Sequence, residues 1–339
     1  MDAVYIPSRP GSPLAVTIDR YRVGKALSFR PIAEGLLNRG YEVVTTRGRW
    51  FLKHYLDQRP DTIRFQHRIT QRLAVCGIPA IPPVADRRGH TVLTSRGRWF
   101  ALYPWVDGTH RRGTELDAGG CARVGALLGG VHVTLPKLLP PVQQPLLVPT
   151  ADPHESLATI ERLLTRIRAR AGTDAFDRLA ELRLIERRAM LLRHAHRRPR
   201  DHEAPRTGYV HGDFHPLNLL YRGNEPVAII DWDRLAALPD TEELVRAALI
   251  FFTDPISGTL DLDRVRGFVA GYRGVVDPGS TQLAAAVHRL WWERLNDFWM
   301  LTRHYLEQDP RCAPLFPASA ALIVWWTMAY DEVLKAFLG

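Results

Sequence analysis

Four side chains able to do chemistry lie in one eight-residue window, His211-Gly212-Asp213-Phe214-His215-Pro216-Leu217-Asn218, and two further carboxylates, Asp231 and Asp233, follow it. Asp213 and Asn218 are five residues apart, and Asp231 ends an apolar, β-branched run, Val227-Ala228-Ile229-Ile230. With Tyr209-Val210 before the window, Leu219-Leu220 after it and a turn at Arg222 to Pro226, the pattern reads strand, loop, strand, turn, strand. Such a hairpin brings Asp213, Asn218 and Asp231 towards one end of a small sheet. Mg²⁺ takes oxygen ligands in octahedral order, is commonly held by one or two carboxylates, and fills its other positions with water and substrate phosphates. Asn218 and Asp231 suit that ligand role, which leaves Asp213 to orient and deprotonate a hydroxyl. Carboxylates at turns also serve as caps, and an isolated Asp-x-x-x-x-Asn would be read that way. The concentration of groups here separates this stretch from that case. His215 either touches phosphate or braces the loop.

The chain that must position these groups has 339 residues, 46% of them apolar, enough for two lobes around real cores. Cys76, Cys121 and Cys312 are far apart and form no C-x-x-C pair, so neither a zinc site nor a disulfide framework is expected, and a reducing cytoplasm is. No basic stretch followed by an apolar run opens the chain, and no apolar run is long enough for a membrane helix; the expectation is a cytoplasmic protein without a membrane partner. The net charge of +9 is uneven: residues 1 to 204 carry 33 Lys+Arg against 19 Asp+Glu, and the remainder 12 against 17. With no zinc-finger spacing, aromatic RNP-like strand or basic zipper, a nucleic-acid partner is not expected, and most of the arginines read as a solvated face.

Residues 1 to 14, rich in proline, read as a loosely held leader, and 17 to 27 as a short helix or strand. From Ser28 the pattern is β: 29 to 35, then 41 to 46, then Trp50 to Tyr55, with glycines near both turns. Lys53 shares a strand face with Phe51 and Tyr55, as either a snorkelling surface lysine or a buried cation awaiting an anion. Asp61 to Gly77 reads as a helix with Asp61 as N-cap and Ile63, Ile69, Leu73 and Cys76 on one face. Strands at 91 to 94 and 99 to 103 follow, with a turn at Arg96-Gly97, and then mostly helices: 117 to 132, weakened by five glycines, and 155 to about 197, broken near 171 to 174. A Pro-rich loop covers 133 to 153, and a capped helix begins at Pro239-Asp240. Helix-spaced aromatics of the last 55 residues, Trp291, Trp292, Trp299, Trp325 and Trp326 among them, read mainly as core.

His211-Gly-Asp213-x-His215-x-x-Asn218 followed by Ile-Asp231-Trp-Asp233 resembles the signature of the superfamily of aminoglycoside phosphotransferases, choline kinases and homoserine kinases, small-molecule relatives of protein kinases whose catalytic loop has the same Asp-to-Asn spacing. The resemblance implies an α+β, two-lobed protein-kinase-like fold: an N-lobe of small antiparallel sheet (1–104) and a mostly helical C-lobe (105–339), with ATP between them. It implies Asp213 as base, His211 supporting the loop, Asn218 and Asp231 on Mg²⁺, Lys53 on the phosphates, and the backbone of Tyr103 to Val106, Trp105 included, on adenine. It also places Glu243 behind the catalytic loop. The sequence departs from the family twice. Of the glycine-rich loop only Gly35 and Gly40 remain, and the helix after Lys53 has no Asp or Glu from 62 to 85, with Gln66 where a lysine-pairing glutamate is usual. Lys53 is therefore expected to have an amide partner or none. The function implied is transfer of the γ-phosphoryl group of Mg-ATP to a small-molecule hydroxyl, on an antibiotic or metabolite. A kinase acting on Ser or Thr of a peptide, and a non-catalytic nucleotide-binding partner protein, are the alternatives.

Overall fold

A computed structural model describes residues 6–7, 12–32, 38–95, 97–142, 149–170, 172–200 and 207–339. Gly35 of the expected glycine loop, Arg96, Pro145 and Ala171 lie outside the described residues. The chain forms two compact units, residues 1–110 with 217–235, and residues 111–216 with 236–339.

The first unit begins with β1 (Ile6–Pro7), α1 (Pro13–Ile18), β2 (Ala26–Ile32), β3 (Arg39–Thr45) and β4 (Gly48–Tyr55), continues through α2 (Pro60–Val75), and closes its sheet with β5 (Leu93–Ser95) and β6 (Arg98–Pro104). Every pairing is antiparallel, in the order β1-β2-β3-β4-β6-β5. In the stretch read as a loose leader, residues 6–7 pair with β2, and the Ala15 N–H donates to the Ser12 hydroxyl that caps α1. Side chains alternate across β4 and bury on both faces. Leu52 packs with Phe29, Val43, Phe100 and Leu102, while Tyr55 joins Ile63, Val92 and Ala101. Helix α2 begins one residue before the expected cap, with Pro60 in its first turn, where its missing N–H costs nothing, and Asp61 beside it facing the positive end of the helix. Cys76, expected on the apolar face, is the exposed C-cap. The buried face carries Gln66, His67 and Thr70 beside Ile63, Ile69 and Leu73. Polar groups buried in that number require partners.

Strand β7 (Thr207–Val210) belongs to the second unit; after it, β8 (Leu219–Arg222) and β9 (Glu225–Ile229) form a hairpin of the first, with Gly223 at φ 62° in the turn. The second unit pairs β7 with β10 (Ala236–Pro239), Val210 opposite Ala236. Around them lie α3 (Ala118–Leu138), α4 (Pro153–Arg168), α5 (Ala175–His194), α6 (Asp240–Phe252), α7 (Leu262–Arg273), α8 (Ser280–Asn296), α9 (Trp299–Tyr305), α10 (Phe316–Met328) and α11 (Tyr330–Leu338). Helix α3 is unbroken and runs to Leu138, past the expected stop at His132. Its glycines have a packing reason: a Cβ on Gly125 would lie 1.9 Å from the Phe268 carbonyl oxygen of α7. Trp291, Trp292 and Trp326 are core, as read from their spacing, whereas Trp299 is 38% exposed. No single described helix is long and apolar enough to cross a membrane; the bent pair Pro310–Met328 and Tyr330–Leu338, at 89°, passes by length and composition alone.

Candidate active site

The candidate residues fall into two sets, one in each unit. In the first unit the β8–β9 register sets Leu219 opposite Ile229, and the Ile230 N–H donates to the Asn218 carbonyl at 3.0 Å, so Asn218 and Asp231 leave the same end of the hairpin. Asp231 adopts φ 59°, ψ 67°, a left-handed conformation rare for a residue with a side chain. Strain of this kind collects where a side chain has to be aimed. A short 3-10 turn, Trp232–Arg234, follows it.

Lys53 does not have the partner expected from its place in the sequence. Its ammonium is 2.7 Å from Asp231 Oδ1 and 2.7 Å from Asp233 Oδ2, and its side chain is 8% exposed. Burial alone would lower the lysine pKa, but Asp233 and then Asp231 outweigh it and raise it above its usual value. Burial lifts the Asp233 carboxyl to about 6 although Lys53 pulls it down, because Asp231 beside it pushes it up again. Gln66, the expected amide partner of Lys53, instead donates its Nε2–H to the Asp233 backbone carbonyl at 2.7 Å. The Gln58 amide donates to the same oxygen at 2.9 Å, and the Asn38 amide to the Asp233 carboxylate at 2.6 Å. The reason for the difference is chemical: a carbonyl oxygen needs a donor, which an amide has and a carboxylate lacks.

Behind Lys53 lies a polar network. Its ammonium is 5.2 Å from the Tyr55 ring centre. The Tyr55 and Tyr103 hydroxyls are 2.8 Å apart, His67 Nε2 is 3.0 Å from the Tyr103 hydroxyl, and His67 Nδ1 is 2.9 Å from the Thr91 hydroxyl. Burial, with Lys53 nearby, lowers His67 to about 3, so the ring is neutral. Tyr103 thus sends its hydroxyl into this network, and its backbone belongs to the β6 edge paired with β4. The Trp105 N–H is committed to the Arg49 carbonyl at 3.3 Å, while the Leu102 carbonyl accepts from the Val84 N–H on the opposite edge. By alternation, the Pro104 carbonyl points to the Leu102 side, away from β4. Of the expected adenine-facing stretch, Tyr103 and Trp105 therefore turn their backbone groups towards β4.

In the second unit, Glu243 in the first turn of α6 holds the His211 to His215 loop through its backbone, at the place behind that loop which the resemblance implied. It accepts from the backbone N–H groups of His211, at 3.0 Å, and Gly212, and from His132 Nε2 at 2.8 Å; the Tyr272 hydroxyl lies 2.9 Å from His132 Nδ1. Burial pushes the Glu243 carboxyl up, but the hydrogen bond and charge of His132, with His211 and Arg246, hold it below its ordinary value. Arg246 donates to the Gly212 carbonyl. The Asp213 N–H donates to His211 Nδ1 at 3.2 Å, and the buried His211 ring sets its edge against Phe214. The Asp213 carboxylate is 34% exposed, and His215 Nε2 lies 3.6 Å from its Oδ2. The loop is therefore pinned through its backbone while its acid faces outward. Sequence reasoning missed Asp233, Asn38, Gln58, His67 and His132. The first stood two residues beyond Asp231 and had a signal; the others had none that distinguishes them from ordinary helix and loop residues.

A sheet with a buried lysine in its third long strand, a following helix and a His-Gly-Asp loop before an apolar-Asp hairpin define a kinase-like phosphotransferase, and the solved structure of spectinomycin phosphotransferase with ADP and spectinomycin has this fold: TM-score 0.63 at 15% identity, over 97% of this chain and 98% of that one. The model of the phosphotransferase enzyme family matches residues 28–277, and the chain belongs to that family. Among its relatives, the homoserine kinase of Bartonella tribocorum is 32% identical over 132 residues, 39% of this chain and 40% of that enzyme. The homoserine kinase of Methylobacterium radiotolerans is 25% identical over 273 residues, 80% of this chain and 79% of that enzyme. The first of these matches spans less than half the relative's length.

Proposed function

We propose that this protein transfers the γ-phosphoryl group of Mg-ATP to a hydroxyl of a small molecule. The observation that carries the reading is the contact between Lys53 and Asp231, 178 residues apart in the chain and 2.7 Å apart in space. In kinases a strand lysine on the phosphates and a metal-binding aspartate work on the same nucleotide. Among the described residues no group of three or more His, Cys, Asp and Glu is placed to hold a metal. Mg²⁺ in a phosphoryl-transfer site needs no such group, because phosphates and water complete its shell. Asn218 and Asp231, both hard oxygen donors leaving one hairpin end, fit it. When bound, the ion supplies positive charge against the phosphate oxygens.

The chain's own residues do the rest. Lys53 draws phosphate oxygens towards the β4 face. At and just past the end of β6, the Pro104 carbonyl and the Val106 backbone offer hydrogen bonds to the adenine edge. Asp213 accepts the proton of the attacking hydroxyl, while Glu243, through the His211 and Gly212 N–H groups, keeps that carboxylate at a fixed height. His215, beside Asp213, meets phosphate or steadies the loop. The names of the relatives, homoserine kinases and a spectinomycin phosphotransferase, bracket the acceptor class as hydroxyl-bearing amines and sugars of low mass. A general base contributes about 10² to 10⁴ in rate, so Asp213→Ala should lower kcat by that factor, roughly 3 to 5 kcal/mol of barrier, with the KM for ATP little changed. Steady-state kinetics on the first acceptor found tests it; unchanged kcat removes Asp213 from the reaction.

A further inference from the structure

The family's ion pair between the strand lysine and a glutamate on the next helix is absent from this chain, since residues 62 to 85 contain no acid. Loss of activity is the simplest explanation of such a gap, and the geometry argues against it. A lysine buried to this degree needs a negative partner, and Lys53 has two. They are not equivalent. The Asp231 side chain is 43% exposed, whereas that of Asp233 is 13% exposed and held by both Lys53 and Asn38. Helix α2 still reaches this cluster through Gln66, which, with Gln58 just before the helix, grips the Asp233 backbone carbonyl rather than Lys53. Both amides spend their N–H on that oxygen, and their own Oε1 atoms are buried with no hydrogen-bond partner among the described residues. Two amides left with unused acceptors indicate that donation to Asp233 is what the site requires of them.

We propose that Asp233 is the positioning residue for Lys53 in place of the helix glutamate, and that Gln66 fastens α2 to it by an amide-to-carbonyl bond for which a glutamate would be the wrong group. Asp231 is then left to serve the metal while Asp233 stays with the lysine. A carboxylate at position 66 would face the Asp233 carbonyl acceptor to acceptor, so the residue that looks like a defect is the one the local chemistry demands. The inference deepens the phosphotransferase reading and rests on it.

The test compares wild type, Gln66→Glu, Gln66→Met and Asp233→Asn by calorimetric titration with ADP and Mg²⁺, by thermal melting, and by KM for ATP against KM for the acceptor. Gln66→Glu, which restores the residue usual in the family, should weaken ADP binding at least tenfold and more than Gln66→Met does. Asp233→Asn should raise the KM for ATP at least tenfold with the acceptor KM unchanged. Gln66→Glu binding ADP as well as or better than wild type would overturn the proposal even if Asp233→Asn fails to fold, because it would show that a carboxylate on α2 is the missing partner. Equal binding by wild type and Asp233→Asn would overturn it as well. A wild type that binds no ADP would sink the phosphotransferase reading itself, an outcome distinct from both.

Discussion

Glu243 holds the backbone of the His211–Gly212 loop from a neighbouring helix. It is buried, and it satisfies two backbone N–H groups and the His132 ring at once. Removing one member of a buried charged network leaves the others without compensation, at about 3–5 kcal/mol. Glu243→Ala should therefore lose stability of that order in urea melts and most activity, while Asp213→Ala, at an outward-facing acid, should lose activity alone. The neutral His67 gives a separate pH signature. Its folded pKa, about 3, lies below the unfolded value near 6.5, so between those values the unfolded chain binds a proton that the native ring refuses. Stability then falls as pH drops through that window, by about 2 kcal/mol between pH 7 and pH 5 from this group. Urea melts of wild type and His67→Gln should show wild type losing about 2 kcal/mol more between the two pH values, and equal losses would show that the native ring takes up its proton over the same range as the unfolded one.

At the scale of elements, the close approach of α3 to α7 depends on glycine. Gly271 on α7 answers Gly125 on α3: a Cβ there would lie 2.0 Å from the Ala122 carbonyl oxygen. Backbone oxygens cannot swing aside, so Gly125→Ala should cost about 1–3 kcal/mol through separation of the helices. Gly119→Ala, exposed in the first turn, should be neutral or gain about 0.4–1 kcal/mol by restricting the unfolded chain. Thermal melting of the two variants checks both. These glycines also show where the sequence misled: a propensity count marks α3 as weak, and only its partner helix explains why it is continuous. The strands were legible, because alternation and glycine turns are local signals, and so was the His-Gly-Asp loop, whose groups lie within eight residues. The partner of Lys53 was not. It depends on a residue 180 positions away, and on whether position 66 must give a hydrogen bond or take one.

At the scale of the molecule, the division into units cuts through the signature itself. The His211 to His215 segment belongs with the helices, while Asn218, Asp231 and Asp233 belong with the sheet and Lys53. A linear motif of some twenty residues thus supplies chemistry to two separately packed bodies, which is why it dominates the sequence and why its supports are scattered. The most direct test is transfer of labelled terminal phosphate from ATP and Mg²⁺ to a panel of homoserine, amino alcohols, aminoglycosides and Ser-rich peptides, with Asp213→Ala beside wild type. The expected result is labelling of a small hydroxyl-bearing acceptor by wild type, falling at least a hundredfold in the variant. Labelling of the peptides alone, or equal labelling by both proteins, would contradict it.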